Sequence, residues 1–322
     1  LIETARLWRS LGHRDARGGF RIDGVTGPDE YSAVADNNVY TNLMAQRNLR
    51  AAAEAAARHP EVAHALGVDQ EEAAAWRDAA AAMVLPYDAD LGVHPQAEGF
   101  TDHEVWDFAA TKPDQYPLLL NFPYFDLYRK QVVKQADLVL ALHLCGSSFT
   151  SEQKLANFDY YEALTVRDSS LSASTQAVVA AEVGHLGLAC AYFREAVLMD
   201  LDDLEHNVRD GVHIASLAGA WNVAVAGFAG MRDDGLSLSF RPQLPEEITR
   251  LAFRLCHRGA TIGVTIEPSE ATYDLRAGER AEVLHYGIAV RLEPGEPATL
   301  PIPALVQREP PSQPAGRELE RR

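Results

Sequence analysis

The sequence predicts a mainly α protein, an α/α toroid, followed by a small antiparallel β domain. Two patterns carry this reading. Up to about residue 232, helices charged on one side alternate with helices apolar nearly all round. After Gly235 the apolar residues instead alternate strictly with polar ones, the period of a half-buried strand. A helix apolar on every side must be enclosed by protein. Enclosed helices alternating with amphipathic ones give an inner ring wrapped by an outer one.

The elements follow in order. Residues 39–58 and 71–83 are alanine-rich and charged on one side, as outer helices would be. The segments 131–143 (QVVKQADLVLALH), 174–193 (STQAVVAAEVGHLGLACAYF) and 211–228 (GVHIASLAGAWNVAVAGF) are the enclosed helices. Strand alternation runs through Leu236, Leu238 and Phe240, then Leu251, Phe253 and Leu255. It resumes at Ile262, Val264 and Ile266, and at Ile288, Val290 and Leu292, with turn signals at Arg258-Gly259 and Ala277-Gly278. The domains expected are therefore 1–232 (helical), 233–302 (β) and a proline- and charge-rich disordered tail, 303–322.

Composition removes several classes of function. Of the 322 residues 47% are hydrophobic, enough for a core, and no apolar run is long enough for a transmembrane helix. The formal net charge of -17 makes the chain a poor binder of nucleic acid or anionic membrane. Cys145, Cys190 and Cys256 are odd in number and widely spaced, so buried reduced thiols in a cytoplasmic protein are expected. No zinc spacing, nucleotide loop or nucleophile elbow is present, and neither a metal nor an organic cofactor is expected.

Three places could carry chemistry. The first is Gly27-Pro28-Asp29-Glu30-Tyr31 with Asp36-Asn37-Asn38-Val39-Tyr40-Thr41-Asn42. It reads either as a polar loop whose Asp36 or Asn37 caps a helix, or as a site reading sugar hydroxyls with one carboxyl as general acid. The second is Lys134-Gln135-Ala136-Asp137, charged inside an otherwise apolar helix. Either Lys134 and Asp137 pair at i, i+3, or Lys134 and Gln135 hydrogen-bond a polar ligand. The third is Arg167-Asp168-Ser169-Ser170 before one enclosed helix, with His213 opening another. An ordinary serine cap and a core histidine compete there with an anion site shared by two helix starts.

Taken together, GVTGPDEY with DNNVYTN, VVKQADLVLAL, YYEALTVRDSSLSAS and DGVHIASLAGAWNVAVAGFAGMR resemble glycoside hydrolase family 65, in the family's order. The resemblance covers roughly residues 15–300. It implies the second half of an (α/α)6 barrel plus the family's C-terminal β domain, with the first barrel half and its Trp-Asp sugar motif missing. It also implies Glu30 as general acid, Lys134 and Gln135 as sugar-binding residues, and Ser169, Ser170 and His213 as phosphate ligands. Ser32 stands where the family usually shows His.

The activity so implied is inverting phosphorolysis of an α-linked glucose disaccharide, with inorganic phosphate as co-substrate. An inverting hydrolase needs a carboxylate base besides its acid, whereas phosphate arrives already nucleophilic. The alternatives are a hydrolase of the same family and an inactive fragment with exposed inner helices. The family often forms homodimers, but no feature of this sequence fixes an oligomeric state.

Overall fold

The computed structural model describes residues 1–135, 137–233, 237–306 and 308–319. By contacts the chain divides into two units, Leu1–Asp168 with Gln313–Arg317, and a second built on Ser169–Ser312.

In the first unit, α1 (Ile2–Leu11) leads into a short hairpin, β1 (His13–Arg14) and β2 (Phe20–Arg21). Helix α2 (Val39–Arg58) spans the expected residues. Its cap is Asn38, whose side chain accepts from the Thr41 N–H at 2.9 Å, not Asp36 or Asn37. Asp36 is instead occupied by the Gly24 N–H, and Asn37 adopts a left-handed φ of 49°. Two further helices follow, α3 (Pro60–Ala65) and α4 (Gln70–Ala81), the latter capped by Asp69. Leu49, Trp76 and Phe20 join one core across these elements. Helix α4 stops short of Met83 because that residue leaves it to bridge Phe20.

Residues 82–130 are largely irregular. They hold β3 (Glu104–Val105) and two single turns, α5 (Leu118–Asn121) and α6 (Tyr124–Leu127). The following strand, β4 (Lys130–Gln131), runs parallel to β3. Trp106 meets Phe122 edge-on at 4.9 Å and donates its Nε1–H to Thr111 at 2.9 Å, beside buried Tyr31, Leu118 and Leu127. That ring is committed to packing. Phe125 stays exposed.

The single helix expected over 131–143 does not form. Gln131 belongs to β4, Val133 bridges Thr165, and helix begins only with α7 (Leu138–Leu144). The reason is tertiary: the Lys134 N–H donates to the Asp29 carboxylate at 2.8 Å instead of to a carbonyl one turn back. Ala136 lies outside the described residues. Helix α8 (Ser151–Glu162), opened by a Thr150–Gln153 capping box, completes the unit's helices.

In the second unit the expected helix over 174–193 is two helices, α9 (Ser172–Val183) and α10 (Leu186–Leu198). Gly184 ends α9 at φ 98°, a conformation that favours glycine. Helix α9 is buried on nearly every side, as its apolar circumference requires. Helix α11 (Ile214–Asn222) continues into a π-helical turn, Val223–Phe228. It approaches α9 so closely that a Cβ on Gly219 would collide with Ser174. The expectation that α11 is enclosed is not met: Ile214, Leu217 and Trp221 face solvent, and only Ser216 and Gly219 of this helix are buried.

The β region opens with β5 (Arg232–Asp233), β6 (Leu238–Phe240) and β7 (Leu251–His257). Next come β8 (Ala260–Glu267), β9 (Glu270–Ala277) and β10 (Ala281–His285). Two more strands, β11 (Ile288–Leu292) and β12 (Ala298–Pro301), complete it. They make two sheets, ordered β11-β10-β6-β5 and β12-β9-β8-β7. The domain is mixed rather than purely antiparallel, since β6 and β10 pair in parallel with Leu238 opposite Val283. Phe240 and Val283 of one sheet share a core with Ile262 and Tyr273 of the other. Gly235 and Leu236 of the expected first run lie outside the described residues, as do Gln307 and residues 320–322.

Among the described residues the tail after Ile302 has no regular structure, but residues 313–317 are docked rather than disordered: Gln313 Nε2 donates to Glu162 at 2.7 Å and Pro314 is buried. Cys145 and Cys190 are buried free thiols, as expected, whereas Cys256 is exposed on β7. Among the described residues no helix is long and apolar enough to cross a membrane.

Candidate active site

The loop from Ile22 to Asn38 presents Asp29 and Glu30 in opposite senses. Asp29 is fully buried, while the Glu30 side chain is 52% exposed. Asp29 Oδ1 accepts the backbone N–H groups of Lys134 (2.8 Å) and Tyr31 (3.2 Å), and Oδ2 accepts Gln96 Nε2 at 2.8 Å. Beside it, buried Asp137 accepts Asn38 Nδ2 at 3.0 Å and the Asp29 N–H at 3.4 Å. A Cβ on Gly27 would collide with Asp137 and Asn38, so the close turn needs glycine.

Burial raises both carboxyls above their ordinary value of 3.8, Asp29 to about 6 and Asp137 to about 7, where the charge of Asp29 adds to the effect. Asp29 has the better donors, so its anion is the more readily tolerated of the two. The Lys134–Asp137 pair expected from their spacing is replaced by a Lys134–Glu30 pair.

Asn37, Asn38 and Asn42 are also fully buried. Asn37 donates to Glu98, Asn38 to Gln96 and Asp137, and Asn42 to the Val84 carbonyl. Their amides are buried and bonded within the protein, and a reading of sugar hydroxyls by them is overturned. Lys134 Nζ pairs with the Glu30 carboxylate and Gln135 Nε2 donates to the Pro28 carbonyl. Tyr124 donates its hydroxyl to the Glu30 carbonyl at 2.7 Å. The structure therefore brings Glu30, Lys134 and Gln135 together, and of the two adjacent carboxylates Glu30 is the exposed one.

Ser169, Ser170 and His213 belong to the second unit. Ser169 Oγ accepts the Leu171 N–H at 3.3 Å, and neither α9 nor α11 has a side-chain cap. The ordinary serine cap is thus not what Ser169 and Ser170 provide. His213 is fixed by Asp200, whose carboxylate takes the ring Nδ1 at 2.6 Å and the backbone N–H at 2.9 Å. Those bonds hold the Asp200 carboxyl below the usual carboxylate range. With Nδ1 engaged, Nε2 is the ring nitrogen that a ligand would meet. Arg167 does not add its charge to an anion site in this arrangement, because it is buried and its Nη2 donates to the Arg317 carbonyl at 2.7 Å.

Sequence reasoning missed Asp200, Gln96 and Tyr124. Asp200 lies in an acidic stretch that reads as surface, and Gln96 and Tyr124 come from the irregular region where no periodicity marks a site. Among the described residues no cluster of three or more His, Cys, Asp or Glu side chains could hold a metal ion.

The glycosyl hydrolase family 65 central catalytic domain matches residues 1–222, and that family's C-terminal domain matches residues 231–292. An uncharacterized glycosyl hydrolase of Mycobacterium leprae (strain TN) is 56% identical over 324 residues, covering 99% of this chain and 40% of the relative. An α,α-trehalose phosphorylase of Thermoanaerobacter brockii is 40% identical over 306 residues, covering 92% of this chain and 40% of the relative. A maltose phosphorylase of Bacillus subtilis (strain 168) is 34% identical over 281 residues, covering 87% and 37%. A solved structure from the human microbiome, provisionally named a kojibiose phosphorylase, superposes with a TM-score of 0.85 at 26% identity. That superposition covers 95% of this chain and 46% of the other. The chain spans about 40% of the length of the curated relatives it matches. Matched by the catalytic domain over residues 1–222 and by the C-terminal domain after it, the chain belongs to glycosyl hydrolase family 65.

Proposed function

We propose that this chain carries the general acid and the phosphate site of an inverting α-glucoside phosphorylase, as the second half of an (α/α)6 barrel with its C-terminal β domain. The observation that carries the reading is the contrast between adjacent carboxylates. Glu30 is exposed and held by Lys134, while Asp29 is buried and spent on backbone N–H groups.

Glu30 protonates the glycosidic oxygen as its bond to the anomeric carbon breaks. A phosphate oxygen attacks that carbon from the opposite face, giving β-glucose 1-phosphate and a free sugar. Lys134 and Gln135 bind sugar hydroxyls beside the acid. Ser169, Ser170, the uncapped start of α9 and His213, oriented by Asp200, bind phosphate. The similarity to proteins named trehalose, maltose and kojibiose phosphorylases supports this reading. In it, the solvent-facing Ile214, Leu217 and Trp221 are covered by the rest of the barrel in a longer protein.

A hydrolase is the second reading, favoured by the 56% identity to a protein named a glycosyl hydrolase. Product analysis of the enzyme on trehalose, maltose and kojibiose, with and without phosphate, separates the two. β-Glucose 1-phosphate formed only with phosphate is the expected result. Glucose released at the same rate without phosphate would overturn it.

A further inference from the structure

Asp168 is a buried carboxylate, 2% exposed, that serves two distant parts of the chain at once. Its Oδ2 accepts the Tyr31 hydroxyl at 2.6 Å and the Leu118 N–H at 2.9 Å. Its Oδ1 accepts Arg317 Nη2 at 3.1 Å. Tyr31 is fully buried and is the residue after Glu30.

Arg317 is held from four directions. Besides Asp168, its Nε donates to the Val166 carbonyl at 2.8 Å and its guanidinium lies over the Tyr116 ring at 4.7 Å. Its own carbonyl accepts Arg167 Nη2 at 2.7 Å. Arg167 has a left-handed φ of 58°, a strained state for a non-glycine residue that persists only where its surroundings hold it. Gln313, four residues earlier, adds a bond to Glu162 at 2.7 Å.

We infer that the C-terminal segment 313–317 is a strap, and that Arg317 is a positioning residue that holds the Glu30 loop through Asp168 and Tyr31. A carboxylate this buried is costly without a partner cation, and Arg317 supplies the cation from the far end of the chain. Without it, Asp168 must draw in water or move, and the Tyr31 hydroxyl and Leu118 N–H lose a fixed acceptor. The acid then samples positions away from the leaving oxygen, a kind of misplacement that costs rate rather than binding.

The kinetic consequence rests on the phosphorolysis proposed above; the structural one does not. The test is Arg317→Gln and a stop after Ser312, each read by amide hydrogen exchange on the whole chain. Exchange at Leu118, and at Leu119, whose N–H donates to the Tyr31 hydroxyl at 3.3 Å, should rise about tenfold while α2 is unchanged. A synthetic peptide of residues 309–319 added to the shortened chain should restore the protection. In the active enzyme, Arg317→Gln should lower kcat about 10- to 100-fold with the KM for phosphate unchanged, and Arg317→Lys should recover part of the loss. Unchanged exchange at Leu118 and Leu119 in both variants would overturn the strap, as would a peptide that binds without restoring protection. If product formation ignores phosphate, the functional reading fails and the exchange result still decides the strap.

Discussion

The backbone N–H of Lys134 donates to the buried carboxylate of Asp29 at 2.8 Å, and the ammonium of the same lysine pairs with Glu30. Two adjacent carboxylates thus hold one lysine by its two ends. Asp29 ties the Glu30 loop to the Lys134 backbone, and Glu30 is exposed with Lys134 beside it. Asp29→Asn keeps the shape but presents a donor where N–H groups already converge. It should cost about 1–3 kcal/mol of stability in urea melts, the usual penalty for unsatisfied buried groups.

The Asp29–Asp137 pair makes stability depend on pH with a defined sign. The folded carboxyls, at about 6 and about 7, hold protons that the unfolded chain releases near 3.8. Their contribution is therefore greatest at the acid end and is lost as pH rises from about 4 to about 7. Asp137→Asn cannot ionise. The stability difference between this variant and the parent should shift in the variant's favour from pH 4.5 to pH 7.5, measured by chemical denaturation. A difference independent of pH would mean that Asp137 does not titrate in this range.

Glu30→Gln keeps the hydrogen-bonding shape and removes the transferable proton. In the proposed phosphorolysis kcat should fall by about 10²- to 10⁴-fold. The KM for the disaccharide should change little, since ground-state contacts survive. Near-normal turnover would place the acid elsewhere, though not at Asp29, which is fully buried.

In the proposed phosphorolysis, His213→Ala should raise the KM for phosphate about 10- to 100-fold, the worth of one charged hydrogen bond. Asp200→Asn keeps volume but can leave the ring in the wrong tautomer, because an amide can donate to Nδ1 where the carboxylate accepted from it. Steady-state kinetics with phosphate varied should show the same direction, with disaccharide KM preserved in both variants.

Gly219 packs on Ser174, and a methyl added at Gly219 has nowhere to go. Gly219→Ala should lower stability by about 1–3 kcal/mol. Adding Ser174→Gly should return part of that loss in thermal melts despite its own helix cost, whereas additive losses would mean that the two sites do not touch.

Much of the local structure was legible in the residues themselves. The alanine-rich stripe of 39–58 and the alternation of Leu251, Phe253 and Leu255 are periodic signals that packing reinforces, so α2 and β7 stand where the pattern put them. Strand β9 carries the same alternation, buried Ala271, Tyr273 and Leu275 against Thr272, Asp274 and Arg276, although the expected runs do not include it. The Glu30 and Lys134 motifs were visible as motifs.

Tertiary structure decided what those motifs touch. A pattern of apolar residues over 131–143 is equally that of a helix or of an extended buried segment. The Asp29 carboxylate, 105 residues away in sequence, settles the choice by taking the Lys134 N–H that a helix would use. The same holds for the caps and the tail. Asn38 rather than its neighbours starts α2 because Asp36 and Asn37 are bonded elsewhere, and Arg317 is ordered because a buried carboxylate awaits it. Periodicity reports which face of an element is apolar. It carries no record of which distant polar group is brought to a given N–H, and that assignment depends on the packed chain.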